Sequence, residues 1–233
     1  MIDGPRLIVF DLDGTLIDSV AHIARAVRET AKVLAIPAPA ASDIPRVIGL
    51  SLDVAIARLF PDHGAEVHAE ADRVYRKTFA EWRAQPGNHE PLFPGSVEVL
   101  DELEAAGFLL GIATGKGRRG VDFILNCHGL TGRFVTIQTP DSAPGKPDPG
   151  MLFQAMKETG AAPKNTVMVG DTIYDIGMAR AAGTHALGVS WGNHPVEDLK
   201  AEGAHMVIDR LDQVLQASES LLSPSTLNAK AAS

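Results

Sequence analysis

Six short apolar runs punctuate this chain, at Leu7–Phe10, Leu109–Ala113, Phe134–Ile137, Val167–Val169, Ala186–Val189 and Met206–Ile208, with helix-length segments between them. Strands buried on both faces of a parallel sheet read as continuous apolar runs of this length, and crossover helices fill the intervals. The expected fold is therefore α/β, with a doubly wound, mostly parallel sheet. One interval breaks the rhythm. Between Asp18 and about Leu92 no strand signal occurs, and Ile23, Val27, Ala31 and Leu34 recur at helical spacing. About 75 residues are too many for a loop, so a helical insertion after the first strand is predicted. Pro91 and Pro94-Gly95 mark the return, and Val97, Leu100, Leu103 and Glu104 predict a helix stopping at Gly107. The division expected is a core of residues 1–17 and 93–216, a helical cap of 18–92, and a Ser- and Ala-rich tail of 217–233 that frays.

Composition limits the function classes. Of 233 residues, 45% are hydrophobic and 21% charged, enough apolar material for a packed core. A net charge of -8 argues against nucleic acid or an anionic membrane as partner, since both demand clustered Lys and Arg. The single cysteine, Cys127, has no internal partner, and Met1 to Arg6 lack a signal-peptide pattern, so a cytoplasmic protein is expected. No run approaches the roughly 20 apolar residues of a membrane-spanning helix. Nothing in the sequence fixes an oligomeric state.

The chemistry lies where the strands end. The first strand runs into Asp11-Leu12-Asp13-Gly14-Thr15, and carboxylates two apart on extended chain project to the same side. The second ends in Thr114-Gly115-Lys116, a later one in Gly170-Asp171, and Asp175 follows on the opening turn of a helix. There it either joins a cation site or serves the helix N-terminus. Lys146 sits between, in Gly145-Lys146-Pro147-Asp148-Pro149, a loop stiffened by two prolines. In open parallel sheets ligands bind at the carboxyl edge, where these segments can meet. Four aspartates against one lysine call for a cation, and carboxylate oxygens without clustered His or Cys favour Mg²⁺ over zinc. Such a site accepts a phosphate dianion, with a protonated Asp13 placed as general acid.

The ordered set, Asp11-Leu12-Asp13-Gly14-Thr15-Leu16-Ile17-Asp18-Ser19, Thr114 after an apolar strand, Lys146 in Gly-Lys-Pro, and Gly170-Asp171-Thr172-Ile173-Tyr174-Asp175, resembles the haloacid dehalogenase-like superfamily, in particular its phosphoglycolate phosphatase-like branch. The motifs span residues 8 to 175. The resemblance implies a Mg²⁺-dependent phosphatase acting on a small phosphorylated metabolite through an aspartyl-phosphate. It implies Asp11 as nucleophile, Asp13 as acid and base, Thr114 and the Gly115 amide on the phosphoryl oxygens, and Lys146 neutralising charge. It implies Mg²⁺ on the Asp11 carboxylate, the Asp13 carbonyl and Asp171, with Asp175 in or beside that set. A carboxylic acid at position 13 points to phosphoryl transfer rather than dehalogenation. Residues 18–92 resemble the family's mobile cap, in which Arg46 is a candidate for contact with a substrate anion, as Lys116 is at the core. The same core in this family also serves sugar-phosphate mutases, pyrophosphatases and nucleotide phosphatases; a catalytically idle binding module is the reading from another class.

Other signals carry less. Gly115-Lys116-Gly117-Arg118-Arg119-Gly120 has dinucleotide-fingerprint spacing, but the following strand ends in Gln138-Thr139 where an acid is required. Neither Gly-Lys pair is followed by Ser or Thr, which disfavours a P-loop. His63 and His68 do not share a helix face, and Cys127 reads as a packing residue.

Overall fold

The computed structural model describes residues 4–223. Its sheet has six parallel strands, β1 (Leu7–Phe10), β2 (Leu109–Ala113), β3 (Thr136–Gln138), β4 (Thr166–Gly170), β5 (His185–Val189) and β6 (Met206–Ile208), in the order β3-β2-β1-β4-β5-β6. The order reverses direction at β1 and β4, the crevice where open α/β sheets place ligands. Along β1, Ile8 and Phe10 pack into the core on one face while Leu7 and Val9 pack into that on the other. That double burial is why the strand reads as an unbroken apolar run. One face is covered by α4 (Ser96–Ala105), α5 (Arg118–Cys127) and α9 (Val214–Leu222), the other by α6 (Gly150–Thr159), α7 (Ile173–Ala181) and α8 (Val196–Ala201).

Three helices, α1 (Val20–Val33), α2 (Leu52–Leu59) and α3 (Ala65–Arg83), occupy the interval without strand signals. They enclose a separate apolar cluster that includes Val27, Ala31, Ile56, Leu59 and Phe60. The chain leaves and re-enters the sheet layer side by side: Asp18 N donates to Pro91 O at 2.9 Å, and Phe93 N donates to Leu16 O at 2.9 Å.

Three expectations need correction. The third strand starts at Thr136, because Phe134 is buried in the core while Val135 is exposed. Residues 217–222 do not fray but complete α9, with Ala217, Ser218, Leu221 and Leu222 buried at helical spacing. Small side chains allow that close approach, and they hid the face in a Ser- and Ala-rich segment. The rest of the expected tail, from 224, lies outside the described residues. Cys127 is exposed and not one of the buried core residues.

Candidate active site

Directly after β1 the chain folds back on itself. Gly14 N donates to Ile17 O at 2.8 Å, and Ile17 N to Leu12 O at 2.9 Å. This turn takes Gly14 to φ +91, and a Cβ there would lie 2.2 Å from Asp171 Oδ2, so only glycine fits. The turn presents Asp11, fully buried, and Asp13, 7% exposed, at the carboxyl edge of the sheet.

Lys146 is buried and bridges two carboxylates, with Nζ 2.9 Å from Asp11 Oδ1 and 2.6 Å from Asp175 Oδ1. Burial alone would lower its pKa, but the facing Asp11 and Asp175 charges override it and hold the ammonium protonated. The Lys146-Pro147 peptide is cis. Asp171 Oδ1 accepts from Thr15 Oγ1 at 3.0 Å, while Oδ2 accepts from Asn193 N at 2.7 Å and Nδ2 at 2.8 Å. Thr114, buried at the end of β2, accepts from Lys116 N at 3.3 Å. The structure thus brings Asp11, Asp13, Thr114, Lys146, Asp171 and Asp175 to one sheet edge.

The group fits a hard divalent cation. Carboxylate oxygens of Asp11, Asp171 and Asp175 lie within 4.8 Å of one another, all buried. Apart from the Lys146 ion pair, neither Asp11 oxygen has a hydrogen-bond partner among the described residues. Burial, reinforced by the neighbouring aspartates and only partly relieved by Lys146, pushes Asp11 up to about 8. Burial and Asp175 likewise raise Asp171 to about 7 against its Asn193 and Thr15 hydrogen bonds. Such a cluster is short of positive charge, and oxygen-only donors suit Mg²⁺. Asp175 is the least free of the three. Its Oδ2 accepts from Thr172 N at 3.0 Å and Thr172 Oγ1 at 2.7 Å, closing a capping box on α7, and its Oδ1 takes Lys146.

Lys116 turns away from the cluster. Its Nζ is 3.1 Å from Asp13 Oδ1 and 3.5 Å from Glu90 Oε1, and Arg83 from α3 meets the same Glu90 oxygen at 2.5 Å. Glu90 is wholly buried, and although burial opposes it, Lys116 and Arg83 hold its carboxyl below the ordinary range. Glu90 was not legible as a site residue: a single acid before a proline carries no spacing signal. Asn193 was equally silent, although its place just beyond β5 at the same sheet edge was a positional hint. Arg46 is not brought to the site. Its side chain is exposed on a short 3-10 turn, and only its backbone oxygen is used, accepting from Tyr174 Oη at 2.8 Å.

The loop before α2 rests on the core. A Cβ on Gly115 would lie 2.3 Å from Leu50 O, and one on Gly145 would lie 3.2 Å from Ser51 Cβ. The helical insertion therefore closes directly over the ends of β2 and the Lys146 loop.

Comparison with known proteins agrees with this geometry. The haloacid dehalogenase-like hydrolase family model matches residues 8–189. A Dickeya dadantii protein named "Probable phosphatase IndB" is 36% identical over 219 residues, covering 93% of this chain and 94% of that protein. A phosphoglycolate phosphatase from Vibrio parahaemolyticus is 32% identical over 216 residues, covering 91% of this chain and 95% of that protein. A hydrolase structure from Pseudomonas syringae superposes with a TM-score of 0.82 at 28% identity, covering 94% of this chain and all (100%) of that one.

Proposed function

The chain belongs to the haloacid dehalogenase-like hydrolase family, and from that premise we propose that it is a Mg²⁺-dependent phosphatase that hydrolyses a small phosphate monoester through an aspartyl-phosphate. The observation that carries the reading is the buried Asp11 carboxylate, which among the described residues has no donor but its ion-pair partner Lys146, beside Asp171 at the sheet's switch point. Residues 18–92 serve as the cap and residues 1–17 with 93–216 as the core. Relatives named phosphoglycolate phosphatase make phosphoglycolate the first substrate to try.

The chain's residues divide the work. An Asp11 oxygen attacks phosphorus and the bond to the leaving oxygen breaks, with Asp13 supplying the proton that oxygen needs. Water then attacks the phosphorus of the acyl phosphate, Asp13 takes its proton, and phosphate leaves with Asp11 regenerated. Lys146, fixed by Asp175, neutralises charge on Asp11 and the transferring group, and Thr114 with the Gly115 amide binds phosphoryl oxygens. The Asp11 and Asp171 carboxylates and the Asp13 carbonyl would hold the metal, with Asp175 acting on it through Lys146. When bound, Mg²⁺ neutralises the clustered carboxylates and polarises a phosphoryl oxygen.

The test is phosphate release from phosphoglycolate and a panel of phosphate monoesters, with Mg²⁺ and with chelator, while sugar-phosphate isomers are counted in the same tubes. Chelator-sensitive release is expected; isomerisation without free phosphate would make the protein a mutase instead.

Cap seating has its own test. Gly115→Ala places a methyl against the Leu50 carbonyl and lifts the cap loop from the phosphate-binding end of β2. Displacements of about 1 Å at a reacting centre can cost about 10²-fold, so kcat/KM, read well below the midpoint, should fall by about that factor, and the thermal midpoint should drop as well because the clashing carbonyls are backbone. A variant with wild-type kcat/KM would show that the loop contact has no part in turnover.

A further inference from the structure

The cavity beyond Asp13 bears on what the leaving group is, an inference that rests on the phosphatase reading and narrows it. A space of about 570 Å³ begins at Asp13, Gly115 and Lys116 and runs into the middle of the helical cap. Asp11, Lys146 and Asp171 are not among its walls. Phosphoryl chemistry thus sits at one end, and the body of whatever oxygen Asp13 protonates must occupy the rest. The walls are Val27 from α1, Ile56 and Leu59 from α2, and Tyr75 and Phe79 from α3. The two aromatic rings stand 5.3 Å apart at 45°. Drug-sized ligands fill cavities of about 300–1,000 Å³ lined in this way. Glycolate, with two carbons and a carboxylate, would leave most of this space empty and its apolar walls unused.

The charges point the same way. The cations held inside the cavity are already neutralised by buried carboxylates. Lys116 pairs with Asp13 and Glu90, and Arg83 with Glu90, whereas Arg76 and Arg118 are exposed and hold only surface pairs with Asp72 and Asp122. Arg119, also exposed, has no ion pair among the described residues, and at exposed positions such as these three a carboxylate stays hydrated and gains little from a cation.

We propose that the substrate is a phosphate monoester whose alcohol carries a ring-sized apolar body, seated between α1, α2 and α3, rather than a short hydroxy acid. The experiment compares kcat/KM with Mg²⁺ for 2-phenylethyl phosphate, ethyl phosphate and phosphoglycolate. The first two are both esters of simple primary alcohols, so their difference reads the cavity more than the leaving group's acidity. The phenylethyl ester should exceed both others by about tenfold or more, since a hydrophobic pocket discriminates by that much on even a small apolar increment. Ala80→Trp, filling the cavity from α3, should bring the phenylethyl-to-ethyl ratio close to one. Phosphoglycolate turned over as well as the phenylethyl ester, or equal losses on both alkyl esters in the variant, would overturn the proposal and leave the phosphatase reading standing. Calorimetric binding of 2-phenylethylphosphonate against phosphonoacetate, with Mg²⁺ and wild-type protein, separates the remaining cases. Tenfold tighter phenylethyl binding without hydrolysis of any ester would keep the cavity assignment and remove the phosphatase reading. No preference and no hydrolysis would remove both.

Discussion

Asp11→Asn is expected to abolish phosphate release, by about 10⁴-fold or more, and to leave the folded protein intact. The amide keeps the shape of the carboxylate but cannot form the acyl phosphate, so both halves of the reaction stop at once. Folding should survive because Lys146 keeps its second partner, Asp175, at 2.6 Å. Stability should not suffer either. Asp11 is pushed up to about 8 chiefly by burial, so a carboxylate there is a strained occupant and a neutral amide is not. In chelator at pH 8 the variant's thermal midpoint should match or exceed that of the wild type. Retention of more than about a hundredth of wild-type turnover would place the nucleophile elsewhere.

The sequence carried the parts of this site that depend on strand ends and lost those that depend on tertiary approach. Asp11, Asp13, Thr114 and Asp171 each follow an apolar strand, and a parallel sheet brings such positions to one edge whatever the helices do. Lys146 was visible because two prolines stiffened its loop. Glu90 could not be read: its role comes from Arg83, at the end of α3, and Lys116, beyond β2, meeting on one buried carboxylate. Arg46 shows the same limit. The sequence does not show that the 3-10 turn directs its backbone oxygen to Tyr174 and leaves the side chain exposed. Helical spacing at Ile23, Val27, Ala31 and Leu34 marked the insertion as helical, but neither the number of its helices nor the hollow between them. A cavity is a property of faces that do not quite meet, and periodicity records only which residues face inward.

Removing the metal should expose a pH dependence of stability that metal hides. Asp11, raised from 3.8 to about 8, and Asp171, raised from 3.8 to about 7, keep protons in the folded state that the unfolded chain has already shed. Between those limits the folded state binds more protons, so stability falls as pH rises. Two imidazoles, the partly buried His185 and the buried His194, act in the opposite sense. Burial depresses His185 and His194 below the ordinary 6.5, so their contribution is present above that pH and is lost as pH falls through the depressed values. Chelated protein should therefore lose on the order of a few kcal/mol between pH 6.5, where the imidazole contribution is complete, and pH 8.5, with roughly 2–4 °C of midpoint for each kcal/mol in a chain of this size. Saturating Mg²⁺ takes the place of the protons, so its stabilising shift should be small at pH 5.5, grow toward pH 8.5, and flatten the alkaline side. Differential scanning calorimetry across that range, with chelator and with Mg²⁺, reads both effects. Asp11→Asn should remove the larger share of the alkaline loss and most of the Mg²⁺ shift together, because one carboxylate is responsible for both. A chelated midpoint independent of pH from 6.5 to 8.5, with an Mg²⁺ shift of constant size, would mean that neither Asp11 nor Asp171 holds the cation.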